Sequence, residues 1–185
     1  EKEAFVGGHC HDHRNEHGIT VHQFGPHIFH TRSERVWNWL NRFSTFAPYV
    51  HRVLSRVKDR LVPFPISLTT LESIFERSFT EEEVAPFLAA QVSQSSFASP
   101  PMNFRDQVVS QVGEQLYELF YENYTRKQWG RDPRQIAPEV ALRIPVRTSR
   151  DDRYFSDPWQ GIPSQGYTAL VSEILTHPGI EILTR

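Results

Sequence analysis

Several stretches of the chain carry side chains whose type and spacing could do chemistry. His9, His11 and His13 alternate, so on an extended segment their imidazoles would share one face, with Cys10, Asp12 and His17 close by. Imidazole and thiolate are ligands for zinc-like metals. The spacing matches no closed structural-zinc pattern, and alternation turns Cys10 away from the histidines. A solvated histidine-rich loop is the plainer reading, and no metal ligand is assigned. A second stretch is Gly25-Pro26-His27-Ile28-Phe29-His30-Thr31. A glycine–proline turn lets the backbone come close to something flat or crowded, and two histidines three apart follow it. Taken alone, a loop leading into a helix explains it as well.

Further along, Tyr124-Thr125-Arg126-Lys127-Gln128-Trp129-Gly130 follows the pair Phe120-Tyr121. Aromatic rings beside cations suit a ligand with a flat ring and a phosphate. A helix C-terminus with cations near the negative end of its dipole and a glycine cap has the same composition. Next come Arg143-Ile144-Pro145-Val146-Arg147 and Asp151-Asp152-Arg153-Tyr154-Phe155. On a regular strand Arg143 and Arg147 would lie on one face and could hold a diphosphate; either could instead pair with Asp151 or Asp152. Finally, Gln160-Gly161-Ile162-Pro163-Ser164-Gln165-Gly166-Tyr167 is a tight glycine-rich loop ahead of a helix, a place that can receive an anion or a cofactor edge.

The elements that must position these residues follow from periodicity and caps. Residues 19–24 alternate as a strand ending at Gly25-Pro26. Thr31 and Glu34 have capping-box spacing, and Val36, Trp37, Leu40 and Phe43 predict a helix over about 33–46. Residues 53–57 and 60–62 read as a hairpin turning at Lys58-Asp59, with Pro63 and Pro65 confining the second strand to an edge. Thr69 with Glu72, and Thr80 with Glu83, predict two further helix starts; Pro86 shortens or kinks the second helix. Residues 94–101 read as a surface loop, and Asn103 caps the longest helix, about 104–123. Asp132-Pro133 starts a helix, residues 144–146 are extended, 166–175 are helical and 180–183 form a closing strand. The pattern is of strand-rich ends enclosing a mostly helical middle.

Bulk properties exclude several classes. The 185 residues are 38% hydrophobic and carry a net charge of −2, which excludes a strongly basic nucleic-acid binder. No apolar run approaches the ~20 residues of a membrane span. The single cysteine, Cys10, excludes an internal disulfide. Of the 20 basic residues only three are lysine; arginine is the better fork for phosphates, although genome composition produces the same bias. The opening residues read as the end of a strand running into Gly7-Gly8, as in a piece of a longer protein.

Each signal alone is weak, but their order is specific. Gly7-Gly8, GPHIFHT at 25–31, PFPI at 63–66, YTRKQWG at 124–130, RIPVR at 143–147, DDRYF at 151–155 and QGIP..GYT at 160–168 together resemble the UDP-galactopyranose mutase family over essentially the whole chain. The resemblance implies a flavin-binding α/β fold with an inserted helical bundle. Its expected parts are a flavin-binding segment at 1–49, strands of a substrate-side sheet at 50–66, a helical domain at 67–130, a further substrate-side sheet segment at 131–163, and a return to the flavin domain at 164–185.

The resemblance also implies an FAD-dependent isomerase, with FAD reduced for activity. It interconverts UDP-galactopyranose and UDP-galactofuranose without net redox, through a flavin N5–sugar adduct, in the cytoplasm and in service of cell-wall polysaccharide. Gly25, Pro26, His27 and His30 would lie against the flavin ring. Glu1 would bind the adenosine ribose, and Gly7 and Gly8 would approach the pyrophosphate. Phe120 and Tyr121 would flank the uracil. Tyr124 and Trp129 would line the substrate, Arg143 would meet the diphosphate and Tyr154 would bond the phosphates. His30, Trp129 and Arg143 are the expected catalytic residues.

The family's GxGxxG loop and its C-terminal part lie outside this chain, which is therefore expected to bind flavin poorly and to be inactive alone. His9 stands where the family usually has asparagine. A non-catalytic UDP-sugar-binding relative is the competing reading, and a metal-binding histidine loop is a third. No nucleic acid or membrane partner is expected, and assembly into a homo-oligomer stays open.

Overall fold

The structure is a computed structural model and describes residues 1–184. Arg185, the last residue of the segment 164–185, lies outside the described residues. The chain forms two compact units. One comprises Glu1–His51 and Phe155–Arg185, the other Arg52–Tyr154.

The unit 52–154 holds the large core. Strands β5 (Val53–Val57) and β6 (Arg60–Phe64) form an antiparallel hairpin in the register Ser55↔Val62 and Val57↔Arg60, turning at Lys58-Asp59 as the sequence indicates. Pro63 costs no ladder bond here because the sheet has two strands and both are edges. Val57 and Val62 point inward and are buried. Helix α2 (Leu68–Phe75) follows, but its capping box is Ser67 with Thr70, not Thr69 with Glu72. Thr70 is buried and its hydroxyl also donates to the Pro63 carbonyl, so a tertiary bond selects this cap over the alternative spacing. Helix α3 (Glu81–Ser93) starts on the Thr80/Glu83 box and runs thirteen residues through Pro86. The residue whose carbonyl Pro86 leaves unpaired, Glu82, is exposed, so water can satisfy it and the helix is not cut short.

The expected single helix over 104–123 is broken. Helix α4 (Phe104–Val112) is capped by Asn103, whose side chain accepts from the Asp106 N–H. It stops at Gly113, with φ +82° and ψ 168°. A short α5 (Glu114–Tyr117), a π-helical turn at Glu118–Glu122 and α6 (Asn123–Trp129) continue the chain. Leu71, Val84, Val109, Val112 and Leu116 are wholly buried between these elements; each such side chain is worth roughly 1.5–3 kcal/mol of transfer free energy. The unit closes where it began. Arg52 and Arg153 form an antiparallel bridge, and Arg52 Nε donates to Asp152 at 2.8 Å.

The other unit carries two small sheets. β1 (Asp12–Arg14) pairs with β2 (Thr20–His22). β7 (Trp159–Pro163) lies between β3 (Phe29–Thr31) and β4 (Phe46–Pro48), antiparallel to both. Residues 159–163, which the resemblance assigned to a substrate-side segment, pair with strands of this unit. Helix α1 (Glu34–Leu40) also ends before residue 46. Asn41 turns its amide back to the Trp37 carbonyl at 2.8 Å, and Phe46 is drawn into an aromatic cluster with Phe29, Trp37 and Trp159, at ring spacings of 5.0–6.0 Å. Helix α7 (Tyr167–Ile174) follows β7. The closing strand at 180–183 is absent: a period-2 pattern needs a neighbouring strand to become a ladder, and no described strand pairs with it. That segment runs beside the N-terminus, whose ammonium donates to the Leu183 carbonyl at 2.6 Å.

Candidate functional site

In the unit 1–51 with 155–185, the Gly25-Pro26-His27 turn and Ile28 wall a hollow of about 420 Å³ together with His22, Tyr49, His51 and Ile162. Gly25 has φ +95°, and a Cβ there would meet nothing, so the backbone itself forms the wall. The imidazoles are fixed. His27 Nδ1 donates to the Gly25 carbonyl at 2.8 Å, and the His27 backbone N–H donates to His22 Nδ1 at 2.9 Å. His30 is exposed on β3 and lies under the Phe155 ring, 3.7 Å between centroids.

A second hollow of about 370 Å³ in the same unit is walled by Glu1, Val6, Gly7, Gly8, Val171, Leu175 and residues 180–183. Gly7 and Gly8 both take positive φ, and a Cβ on Gly8 would meet open space. The Glu1 carboxyl accepts from the Lys2 and Glu3 N–H groups, which hold it below the usual carboxylate range. An ionised acceptor, bare glycine backbone and apolar walls suit the adenosine end of a dinucleotide in chemistry, and the histidine-lined hollow offers aromatic and apolar walls. The chemistry of these residues is compatible with a dinucleotide cofactor.

In the unit 52–154, Phe120 and Tyr121 lie on the π-helical turn and are buried, stacked and edge-packed on Phe64 at 6.1 and 5.6 Å. Both side chains belong to the core rather than to an open base-binding cleft. Burial raises the Tyr121 phenol well above its ordinary range. Tyr124 and Trp129 on α6 are 63% and 49% exposed. Gly130 caps α6 in the left-handed region, its N–H on the Arg126 carbonyl. Arg126 bridges Glu122 and Asp132 and is thereby spent on structure.

Arg143 ends a 3-10 turn, Pro138–Arg143, and Arg147 lies beyond it in irregular chain. The premise of a strand presenting both on one face fails. Arg147 donates to the backbone carbonyls of Asp151, Arg153 and Tyr154, so it holds the DDRYF loop rather than a ligand. Asp151 pairs with Arg153 and Asp152 with Arg52. Arg143 is exposed and makes no hydrogen bond or ion pair among the described residues. It lies close enough to act on Tyr154: burial raises that phenol, Tyr124 raises it further and the Arg143 guanidinium opposes them. Tyr124, Arg143 and Tyr154 thus share one electrostatic neighbourhood with an unspent cation in it.

Two residues escape a motif reading. Asp12 is buried and accepts from the backbone N–H groups of Tyr167 and Thr168 at 2.6 and 3.0 Å, fastening β1 to the start of α7. Asp157 accepts from His30 Nδ1 and Arg32 Nε. In both cases the partners are more than 120 residues apart in the chain, so no local signal marks them. Among the described residues no three histidine, cysteine, aspartate or glutamate side chains converge on a metal position. His11 instead stacks on Phe5 at 3.9 Å.

Comparison with known proteins agrees with the order of motifs. Residues 119–185 match the UDP-galactopyranose mutase family, and residues 1–43 match an NAD(P)-binding Rossmann-like domain. The chain is 41% identical over 95% of its length to a dTDP-fucopyranose mutase of Escherichia coli, and 37% identical over 98% to a probable UDP-galactopyranose mutase of Klebsiella pneumoniae. It covers 46% and 47% of those proteins, so the chain spans about half the length of the curated relatives it matches. Its fold is similar to a crystal structure of reduced UDP-galactopyranose mutase at a TM-score of 0.61 and 17% identity, over 93% of this chain and 39% of that one. The fold is thus of the mutase-type α/β class with a Rossmann-like segment and a helical insertion. Within that class the chain is similar to UDP-galactopyranose mutases. Among the described residues no helix is long and apolar enough to cross a membrane.

Proposed function

We propose that the protein containing this chain is a flavin-dependent nucleotide-sugar mutase that contracts UDP-galactopyranose to UDP-galactofuranose. The observation that carries the substrate side is the grouping of unspent Arg143 with Tyr124 and Tyr154. Arginine binds a diphosphate as a fork, and phenol donors beside it add orientation. Arg143 stabilises the nucleotide as it departs and holds it for return. Trp129 and Tyr124 exclude water from the sugar. Gly25, Pro26, His27 and His30 bind the flavin ring, while Glu1, Gly7 and Gly8 bind its adenosine end. When bound and reduced, the flavin supplies a nucleophilic nitrogen and is not consumed. On this reading the protein works in the cytoplasm and supplies galactofuranose for cell-wall polysaccharide. The isolated chain holds part of each site and turns over poorly.

A second substrate has its own support: the relative at 41% identity is named a dTDP-fucopyranose mutase. Thymine differs from uracil by a methyl group and fucose from galactose by a hydroxyl. Turnover of both sugar nucleotides under reducing conditions ranks them by kcat/KM. Calorimetric titration with UDP tests the site itself. Saturable binding weakened about 10- to 100-fold by Arg143→Ala is the expected result. Binding indifferent to that substitution removes Arg143 from the site, and the absence of flavin and of turnover leaves a sugar-nucleotide-binding relative.

A further inference from the structure

One polar constellation joins residues of three motifs through Asp157, which belongs to none of them. The His30 ring is restrained in two ways. Phe155 lies parallel to it, with 3.7 Å between centroids and 14° between planes, which fixes the plane. Asp157 Oδ2 lies 2.7 Å from Nδ1, which fixes rotation within that plane. The carboxylate is itself held. Its Oδ1 accepts from Arg32 Nε at 3.1 Å, and Gln160, the β7 partner of His30, donates to the Asp157 backbone carbonyl at 2.7 Å. The Asp157 side chain is 17% exposed. His30 Nε2 has no hydrogen-bond partner among the described residues.

We propose that Asp157 is a positioning residue that selects the His30 tautomer, with the proton on Nδ1 and an open lone pair on Nε2. A carboxylate can only accept, so the nitrogen facing it must donate. An imidazole without such a partner favours the proton on Nε2 and would offer a ligand a donor instead. The arrangement makes His30 an acceptor for an N–H or O–H of whatever lies against β3. The role rests on the reading of His30 as a flavin-side residue; the tautomer does not.

The test is a long-range ¹H–¹⁵N spectrum of the full-length protein with labelled histidine, His30 being assigned by comparison with His30→Gln. With the ring neutral by its own spectrum, the proton is expected on Nδ1. In Asp157→Asn the side-chain amide can donate to Nδ1, and the proton is expected to move to Nε2. Turnover by flavin-loaded Asp157→Asn is then expected to fall ~10-fold or more in kcat with KM little changed. A proton on Nε2 in the unsubstituted protein overturns the proposal and needs no variant to fold. So does an unchanged tautomer in Asp157→Asn. If the unsubstituted protein converts no sugar nucleotide, the proposed function fails while the spectrum still decides the role of Asp157.

Discussion

Asp151 shows how the DDRYF motif spends its charges. Its side-chain bonds from Arg153, at 2.8 Å to each oxygen, hold the carboxyl down at about 2. The folded state therefore binds the proton less tightly than the unfolded state does. The stabilisation is whole above roughly pH 4 and is lost as pH falls through about 2. A shift of that size corresponds at most to roughly 2.5 kcal/mol. The Arg153 side chain is 40% exposed and water screens it, so Asp151→Asn is expected to cost about 1 kcal/mol at neutral pH and almost nothing near pH 2. Urea melts at the two pH values check this, and an equal loss at both refutes it. Asp12 obeys the same sign. Burial pushes its carboxyl up, but the Thr168 and Tyr167 N–H groups and the Thr168 hydroxyl together hold it below the ordinary range. Asp12→Ala should cost about 1–2 kcal/mol, as loss of a helix cap does, and the loss should shrink in acid. Neither aspartate's partnership was fully legible in the sequence. Pairing of Asp151 with an arginine of RIPVR was only one of the alternatives, and Asp12 sat in a histidine run read as a solvated loop.

Elements were legible where a local device sets them. The β5–β6 turn, the Thr80/Glu83 box and the Asn103 cap all stand at the expected residues. Interruptions were not legible, because the apolar stripe Val108, Val112, Leu116, Leu119, Phe120 runs straight across one. The cause is a close approach. A Cβ on Gly113 would sit 2.8 Å from Gln91 Cβ and 2.9 Å from the Gln91 backbone carbon. Its dihedrals also fall in a region that essentially only glycine occupies. Gly113→Ala should therefore cost at least ~2 kcal/mol by strain and clash together, read as a drop in thermal midpoint. A neutral outcome would mean that α3 and α4 are not this close. The π-helical turn after it has its own consequence: the extra residue changes the facing of the helix, so Phe120 and Tyr121 enter the core while Tyr124 and Trp129 stay exposed. The resemblance gave all four to the ligand; burial sets the first pair apart from the second.

At the scale of the whole molecule, the continuous hydrophobic core formed by the buried residues from Val57 to Ala141 lies wholly inside the unit 52–154. The rest of the chain relies on an aromatic cluster, on the Asp12 fastening and on short strands of three to five residues. The sequence foretold a helical middle between strand-rich ends but not the seam, because the seam is a meeting of distant residues, Arg52 with Arg153 and Asp152. That meeting has a direct consequence. When the two ends of a segment are bridged to each other, cutting it free removes no internal ladder and opens no core layer. Residues 52–154 expressed alone should therefore melt cooperatively and keep the near-ultraviolet signature of packed Tyr117, Tyr121 and Phe104. Because Tyr124, Arg143 and Tyr154 all lie within it, the fragment should also retain the Arg143-dependent part of UDP binding. A fragment that melts without a transition would show that its core draws on the flanking chain. A cooperative fragment indifferent to UDP would move the diphosphate site off Arg143.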